Sequence, residues 1–347
     1  MDDSEVRLLM GSFGSNQTVE LRQTHISWVI LAGRFAYKIK KPVKFSFLDF
    51  TTLDKRKRLC EEEVLLNQRL SPDIYLGVVA ITKTIPTKKP ESSNPESATI
   101  KTENTKPETI ELGGKGIIID YAVKMKRLDE NRMMDRLLDR GEVSEKHVEE
   151  LARIVADFHG RIEAVKEGYN SPEMVGKQIA DLGAFRETIE KAAGLGRNVD
   201  FVLERSAAFI RANDELMRER AAGGWVRDCH GDLHSGNIFI QDGRIIIIDC
   251  IEFSRDFRCV DVASEIAFMA MDLDAHGRED LSGLFVETYL SKTHDSQLET
   301  LLPIYKCYRA NVRAKIAAID FGGSGSSEAA ERIKKYMTLA EKYATML

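Results

Sequence analysis

The sequence has little of what marks several common classes of protein. Its 347 residues include only five cysteines, an odd number with no C-x-x-C pair, which indicates neither a disulfide framework nor a zinc knuckle. Lys and Arg total 50 against 55 for Asp and Glu, so there is no electrostatic footprint of a nucleic-acid binder. The longest apolar runs, such as residues 28–32, are far shorter than the ~20 residues that span a bilayer.

The composition that remains is that of an ordinary globular protein. Residues 1–5 are acidic and have no apolar h-region, which argues against a secretory signal. Apolar residues make up 43% and charged residues 30%, enough for a sizeable core. We therefore expect a cytoplasmic protein without nucleic-acid or membrane partners. At roughly 150 residues per domain, its length predicts about two domains or one bilobal domain.

The first third of the chain is predicted to be rich in strands. A turn at Gly33-Arg34 and a helix over about 52–70 are expected among them. Residues 83–115 hold four of the eight prolines and little apolar surface, which predicts a flexible hairpin insertion or, alternatively, a charged tether for a partner. Alternating or continuous apolar residues indicate strands at 18–23, 27–32, 35–40, 74–82 and 117–124.

The pattern becomes helical from residue 133, with one interruption that combines a hairpin and polar residues. An Asp-Gly pair at 242–243 is a strong turn signal and predicts antiparallel strands at 238–240 and 244–248. Because the two ends of a hairpin are neighbours, Asn237 and Asp249 should converge. An amide oxygen and a carboxylate together form a hard-oxygen site that suits Mg²⁺.

The residues around this hairpin resemble a kinase. Residues 229–240 read C-H-G-D-L-H-S-G-N-I-F-I, which is similar to the kinase pattern H-x-D-x-x-x-x-N followed by a metal-binding Asp, and more closely to the aminoglycoside phosphotransferase-like kinases. The resemblance implies an α+β, bilobal, protein-kinase-like fold. A small antiparallel β-sheet lobe with one helix would span 1–128, and a larger, mostly helical lobe 129–347. The catalytic loop would be 230–237 and the metal-binding segment 245–252.

The same resemblance implies roles for individual residues. Asp232 would accept or orient the proton of an acceptor hydroxyl, and His230 would brace the catalytic loop. Asn237 and Asp249 would hold Mg²⁺. Asp261, in the segment D-V-A, is similar to a residue of that superfamily that supports the catalytic loop from the start of a helix.

A kinase-type site also needs a lysine for the nontransferred phosphates and a glutamate that orients it. Residues 36–38 read like the A-x-K of such sites, and Lys38 is preferred over Lys40, which lies at the strand end. Glu62 and Glu63 both lie three or four residues from leucines of the apolar stripe of the predicted helix. Glu62 is the first choice for the partner of the lysine, and Glu63 the alternative.

The region expected to cover the nucleotide departs from the protein-kinase pattern. No G-x-G-x-x-G lies between the first two strands, where only residues 23–27 are available. We expect Thr24, Ser27 and backbone N–H groups to cover the phosphates. The backbone around Met125, in the strand that enters the second lobe, is expected to contact adenine.

Longer segments resemble the uncharacterised bacterial proteins of the aminoglycoside phosphotransferase family. The residues that carry this are T-H-I-S-W-V-I-L-A-G-R-F-A-Y-K-I-K-K-P-V and D-C-I-E-F, and the resemblance runs from Thr18 to the C-terminus. Those proteins often carry a P-loop kinase domain as well. No G-x-x-x-x-G-K-[ST] occurs here, so a P-loop kinase is expected only as a partner or a fused domain of relatives.

The expected reaction is Mg²⁺-dependent transfer of the γ-phosphoryl group of ATP, or GTP, to a hydroxyl of a small molecule. The alternatives are a nucleotide-binding pseudoenzyme or regulatory module, a protein kinase and a nucleotidyl transferase. Only eleven residues separate Asp249 from Asp261, which favours a small acceptor.

The sequence does not decide between a cationic and an anionic acceptor. An acidic set would attract an amine and a basic set would attract a phosphate or carboxylate, unless each is paired within the protein. The two sets are Asp272, Asp274, Glu279 and Asp280, and Lys306, Arg309 and Arg313.

Overall fold

The computed structural model describes two compact units, Met1–Arg127 and Leu128–Leu347. The first is rich in strands and the second is mostly helical, which confirms the predicted α+β class. Residues 86–107, most of the predicted insertion, lie outside the described residues. The described residues are 1–14, 17–45, 48–85, 108–165 and 168–347.

An antiparallel sheet forms the frame of the first unit. Its strands are β1 (Val19–Gln23), β2 (Ser27–Ala32), β3 (Phe35–Lys40), β6 (Tyr75–Thr84), β7 (Thr109–Leu112) and β8 (Ile117–Lys126), and a separate short pair is β4 (Lys44–Phe45) and β5 (Leu48–Asp49). The strand order in the sheet is β1-β2-β3-β8-β6-β7. Gly33 turns the chain between β2 and β3 with φ of 54°, a conformation that glycine adopts without strain.

Each face of this sheet is covered by a helix. Helix α1 (Asp3–Gly11) packs Val6 and Leu9 against a core that includes Ile30 and Ile39. Helix α2 (Leu53–Asn67) lies on the opposite face and begins after Thr52, whose hydroxyl accepts a hydrogen bond from Lys55 N. The presence of α1 corrects the expectation of a single helix. Its nine residues bury only two side chains, too few for a helical period to be visible in the sequence.

The second unit is built mainly of helices. None of the helices in the described part of the chain is both long and apolar enough to cross a lipid bilayer. They are α3 (Met134–Asp139), α4 (Glu145–Arg161), α5 (Pro172–Ala180), α6 (Arg186–Ala193), α7 (Gly196–Ala212), α8 (Asp214–Ala222), α9 (Arg255–Arg258), α10 (Val262–Ala275), α11 (Glu279–Thr293), α12 (Leu298–Ser324) and α13 (Ser327–Ala344).

Helix α10 runs through the interior of this unit. Every residue from Val262 to Leu273 is buried, as expected for a helix that is apolar on all sides. Its Phe268 and Met271 belong to a core shared with α12 and α13. A polar side chain on α10 is therefore in the interior and must find its partners there.

Two short antiparallel pairs complete the second unit. Strand β9 (Val226–Asp228) pairs with β12 (Cys259–Asp261), and β10 (Ile238–Gln241) pairs with β11 (Arg244–Ile247). Asp242 and Gly243 join the latter pair with φ of 53° and 68°. Two consecutive left-handed residues are typical of the tight hairpin turn that this dipeptide predicts. The predicted hairpin is thus confirmed.

Candidate active site

His230 fixes the loop that leads from β9 to β10. Its ring is buried, Nε2 donates to Ile248 O at 2.9 Å, and Nδ1 accepts from Asp232 N at 3.3 Å. Burial lowers the pKa of His230, against the opposing charge of Glu265. The neutral ring therefore serves as donor on one side and acceptor on the other, and it joins the loop to the end of β11.

Asn237 orients Asp232. The Asn237 side-chain amide donates to Asp232 Oδ2 at 2.9 Å and to Asp232 O at 3.0 Å. The Asp232 side chain remains 34% exposed, so a ligand has access to it. Although desolvation works to raise it, the pKa of Asp232 is held below its ordinary value by the charges of His234 and Arg313. The carboxylate is therefore ionised near neutral pH, and it can accept a hydrogen bond from a hydroxyl.

The backbone on both sides of Asp249 is tied to the same loop. Ile248 N donates to Asn237 O at 2.9 Å, and Ile251 N donates to His230 O at 3.1 Å. Asp249 itself has φ of 66°, a left-handed conformation that costs energy for a residue with a side chain and is concentrated at functional sites.

The donor set fits a magnesium ion. The nitrogen of the Asn237 side chain is directed to Asp232, so the amide oxygen is the atom it offers to a cation. The Asp249 carboxylate adds a second hard oxygen donor from the adjoining segment. Oxygen ligands of this kind are those that Mg²⁺ prefers.

Glu265 holds the first part of the loop from α10. Its Oε1 accepts from His230 N at 3.0 Å and its Oε2 from Gly231 N at 2.6 Å, while His159 Nε2 lies 3.0 Å from Oε1. Burial raises the pKa of Glu265, but His159 outweighs it and the result is a pKa of about 2. Gly231 has φ of 87°, and a Cβ there would lie 2.8 Å from Phe257 O, so only glycine fits.

The role expected of Asp261 belongs to Glu265 instead. Asp261 accepts two hydrogen bonds from Arg220, at 2.7 and 2.8 Å, and caps α10 by accepting from Ala263 N at 2.8 Å. A carboxylate at a helix start is used by the free N–H groups of that helix. The residue one turn later faces the loop and binds it.

The acidic set considered for acceptor binding is engaged within the protein. Asp272 accepts from Ser235 N at 2.8 Å and from Ser235 Oγ at 2.5 Å, so it is a second support of the loop. The other three pair with cations: Asp274 with Lys306 at 2.9 Å, Glu279 with Lys342 at 2.6 Å and Asp280 with Arg278 at 2.7 Å.

In the first unit, two lysines of β3 share one glutamate of α2. Lys38 Nζ lies 2.9 Å from Glu63 Oε1, and Lys40 Nζ lies 2.6 Å from Glu63 Oε2. The two lysines outweigh the desolvation of Glu63 and lower its pKa. The Lys38 side chain is 15% exposed and that of Lys40 only 1%, so Lys38 is the one with access to a ligand.

This pairing reverses the preference between Glu62 and Glu63. Glu63 lies in the buried stripe of α2, between Leu59 and Leu66, whereas Glu62 is half-buried beside it. In the sequence this stripe is identified from its leucines. A charged residue at the centre of the stripe is not expected unless a buried cation is known to face it. Two lysines supply that cation.

The three residues expected to contact the nucleotide differ in their hydrogen bonds and burial. The Thr24 hydroxyl accepts from Ser27 N at 3.0 Å, so it stabilises the turn between β1 and β2. The Ser27 hydroxyl is buried and has no hydrogen-bond partner in the described part of the chain. Ser27 pairs with Lys40 across the sheet, which places its side chain on the face of the two lysines. Met125 is buried near the end of β8, opposite Ala36.

Residues 114–298 match the phosphotransferase enzyme family, and this is more than half of the chain. The chain belongs to that family. The predicted enzyme class, a phosphotransferase, is thereby confirmed at the level of the family.

The curated relatives of this phosphotransferase are longer than the chain. They include uncharacterized proteins of Mycobacterium tuberculosis strain H37Rv and of Mycobacterium bovis, each 28% identical over 330 residues. The matched region covers 94% of the chain and 59% of each relative, so the chain spans less than two thirds of their length.

Solved structures share the fold of the phosphotransferase at low sequence identity. A choline kinase of Cryptosporidium parvum has a TM-score of 0.54 at 13% identity, covering 99% of this chain and 96% of that one. An ethanolamine kinase of Plasmodium vivax also has 0.54, at 12% identity and 96% and 86% coverage. An aminoglycoside phosphotransferase in complex with AMP-PNP and hygromycin B has 0.51, at 11% identity and 97% and 99% coverage. The predicted kinase-like fold is confirmed.

The sequence contains a signal for the two loop supports of this phosphotransferase that motif reasoning missed. Glu265 and Asp272 are seven residues apart, which places them on one face of a helix that is otherwise apolar. A buried carboxylate needs hydrogen-bond donors, and backbone N–H groups of a tight loop supply them. A pair of acidic residues at this spacing in an apolar helix therefore predicts such a support.

Proposed function

We propose that this phosphotransferase transfers the γ-phosphoryl group of ATP to a hydroxyl of a small-molecule acceptor. The observation that carries the proposal is the ionised, partly exposed Asp232, oriented by Asn237 on a loop that His230 and Glu265 hold rigidly. Phosphoryl transfer depends mainly on positioning and charge neutralisation, and a loop held at this many points supplies positioning.

In the proposed reaction the acceptor oxygen forms a bond to the γ-phosphorus as the bond to the β–γ bridging oxygen breaks. ADP leaves with that electron pair, and the hydroxyl proton passes to the Asp232 carboxylate and then to solvent. Asn237 and Asp249 would hold Mg²⁺, whose charge neutralises phosphate oxygens when it is bound.

The first unit would bind the rest of the nucleotide. Lys38 would hold the nontransferred phosphates, and Glu63 would keep its ammonium group in place. Thr24, Ser27 and neighbouring backbone N–H groups would cover the phosphates. The backbone near Met125 would contact adenine.

The test separates binding from turnover. ADP formation and Mg²⁺-dependent ATP binding are measured across a panel of hydroxyl compounds for the wild type, Asp232→Asn, Asp249→Asn and the exposed control Asp157→Asn. Asp232→Asn should keep ATP binding and lose about 10²- to 10⁴-fold in turnover. Asp249→Asn should lose the Mg²⁺-dependent part of binding, and Asp157→Asn should behave as the wild type.

Other results assign other functions. Retained turnover in Asp232→Asn contradicts the role of this carboxylate. Binding without turnover by the wild type indicates a pseudoenzyme. Label from γ-labelled ATP on a protein indicates a protein kinase, and transfer of the AMP moiety indicates a nucleotidyl transferase.

The cytoplasmic location and the absence of nucleic-acid and membrane partners stay predictions from composition, and a P-loop kinase domain in relatives stays an implication of the family resemblance. The five cysteines are free, buried thiols, which is typical of proteins from a reducing compartment. Fractionation of cells that make the protein tests the location.

A further inference from the structure

Arg313 of α12 lies beside Asp232 and lacks a close polar partner. Its Nε is 3.4 Å from the Tyr336 hydroxyl and its Nη1 is 3.5 Å from His234 Nε2, both at the outer limit of a hydrogen bond. The guanidinium lies over the Tyr336 ring, 5.4 Å from its centre. Within the described residues, no carboxylate comes within ion-pair distance of Arg313.

The long contact between Arg313 and His234 also lacks a hydrogen-bond acceptor. Gly236 N donates to His234 Nδ1 at 3.1 Å, and the side-chain amide of Asn237 also approaches the ring, 3.4 Å from Nε2. An imidazole has one acceptor nitrogen when it is neutral and none when it is protonated, so it cannot accept from Gly236 and from Arg313 together. The guanidinium of Arg313 therefore keeps N–H groups without an acceptor.

Two neighbouring basic residues of α12 differ from Arg313 because they have close polar partners inside the protein, although Arg309 Nη2 is also without a hydrogen-bond partner among the described residues. Lys306 pairs with Asp274 at 2.9 Å and donates to Ser282 at 2.9 Å. Arg309 donates to Gly231 O at 3.0 Å and to Ser264 O at 3.2 Å. Both are engaged inside the protein.

Arg313 lies close to Asp232, the residue proposed to accept the proton of the acceptor hydroxyl. His234 Nε2 lies 3.5 Å from Asp232 Oδ2 and 3.5 Å from Arg313 Nη1, so one ring nitrogen separates the carboxylate from the guanidinium. An acceptor whose hydroxyl reaches Asp232 would bring its adjacent substituent to Arg313. A planar guanidinium matches carboxylate and phosphate groups, and it repels ammonium groups.

On the basis of the proposed function, we propose that the acceptor is an anionic alcohol, a hydroxy acid or a sugar phosphate, whose carboxylate or phosphate binds Arg313. The acidic residues that would attract an amine are engaged elsewhere, Asp272 with Ser235 and Asp274 with Lys306. The proposal thus excludes amino alcohols and aminoglycosides as preferred acceptors.

The experiment compares matched acceptors with wild-type protein and Mg-ATP. Glycerate and glucose 6-phosphate represent the two anionic sources, glycerol the neutral analogue and ethanolamine the cationic one. Initial rates of ADP formation give kcat/KM, and phosphorus NMR identifies the product. An anionic acceptor should have a kcat/KM at least about tenfold above glycerol and ethanolamine, since a charge-assisted bidentate contact is worth that much.

Three variants connect this preference to Arg313. Arg313→Met should raise KM for the anionic acceptor at least about tenfold more than KM for ATP, and Arg313→Lys should give a smaller rise, because it keeps the charge and loses the fork. Lys335→Met is the matched control, since Lys335 is exposed with Nζ 5.7 Å from the centre of the same Tyr336 ring. It should change neither KM. If Arg313→Met does not fold, Arg313→Lys still tests the proposal, because it retains the positive charge.

Each other outcome overturns the inference. Preference for ethanolamine contradicts the anionic class but leaves the proposed phosphoryl transfer intact. An equal rise of KM for ATP means that Arg313 binds the γ-phosphate, and an equal rise for every acceptor means that it only balances the charges of Asp232 and Asp272. No transfer to any class contradicts the inference and, if ATP turnover is also absent, the proposed function with it.

Discussion

At the scale of single residues, the buried carboxylates carry much of the organisation of the candidate site. Glu63, Glu265 and Asp272 are each fully or nearly fully buried, and each one accepts hydrogen bonds or ion pairs on its oxygens. A buried charge is tolerated only when such partners are complete. Loss of one partner is therefore more damaging than the loss of a surface charge.

Glu63 and Glu62 provide a direct comparison. Glu63→Gln leaves the ammonium of Lys40, which is 1% exposed, without its counter-charge. We expect the free energy of unfolding to fall by about 3 kcal/mol, as when one member of a buried pair is removed. Glu62→Gln, at a half-buried position beside it, should lower the free energy of unfolding by less than Glu63→Gln does. Urea unfolding followed by circular dichroism measures both, and equal effects of the two variants would contradict the assignment of Glu63.

At the scale of elements, the sequence predicts what depends on local patterns. The limits of β2 and β3 are recovered to the residue, because alternation and a Gly-containing turn define a hairpin. Helix α1 is missed because its apolar signal is short. The loop supports of α10 are missed because their partners are backbone N–H groups 34 to 37 residues away, which no local pattern records.

The turn between β10 and β11 is predicted to depend on glycine at one position. No neighbour lies within 4 Å of a Cβ built at Gly243 or at Gly322 in α12, but only Gly243 has a left-handed φ, of 68°. Gly243→Ala should destabilise the protein by about 1 kcal/mol, and Gly322→Ala should be neutral or stabilising by up to about 1 kcal/mol. Melting temperatures of the two variants test this, and a stabilising Gly243→Ala would contradict the turn geometry.

At the scale of the whole molecule, the motif residues and their supports come from separate parts of the sequence. The pattern H-G-D-x-x-x-x-N, the hairpin after it and the family resemblance that they carry predict Asp232, Asn237 and Asp249 as site residues. The surroundings that decide protonation and rigidity come from His159, Glu265 and Arg313, which the fold brings together. Motifs therefore predict the reaction class, and only the tertiary structure reveals the side chains that set the protonation and rigidity of the site.

The buried Glu265 and His230 allow a prediction of how the stability of the protein depends on pH. His159 outweighs burial and lowers the pKa of Glu265 from 4.5 to about 2, and burial lowers that of His230 from 6.5. In both cases the unfolded chain binds the proton more tightly than the folded one. Their stabilisation is therefore present at neutral pH and is lost on acidification, below about 6.5 for His230 and between about 4.5 and 2 for Glu265.

The urea midpoint should accordingly be constant above pH 7, fall gently towards pH 5 and fall steeply below 4.5, with each linked proton worth up to about 1.4 kcal/mol per pH unit. Glu265→Gln removes one of the titrating carboxylates, so its midpoint should fall less steeply below pH 4.5 than that of the wild type. Glu287→Gln, at an exposed position on α11, should retain the wild-type slope. A midpoint that rises between pH 7 and 5 would contradict the lowered pKa of His230, and identical slopes for the two variants below pH 4.5 would contradict the lowered pKa of Glu265.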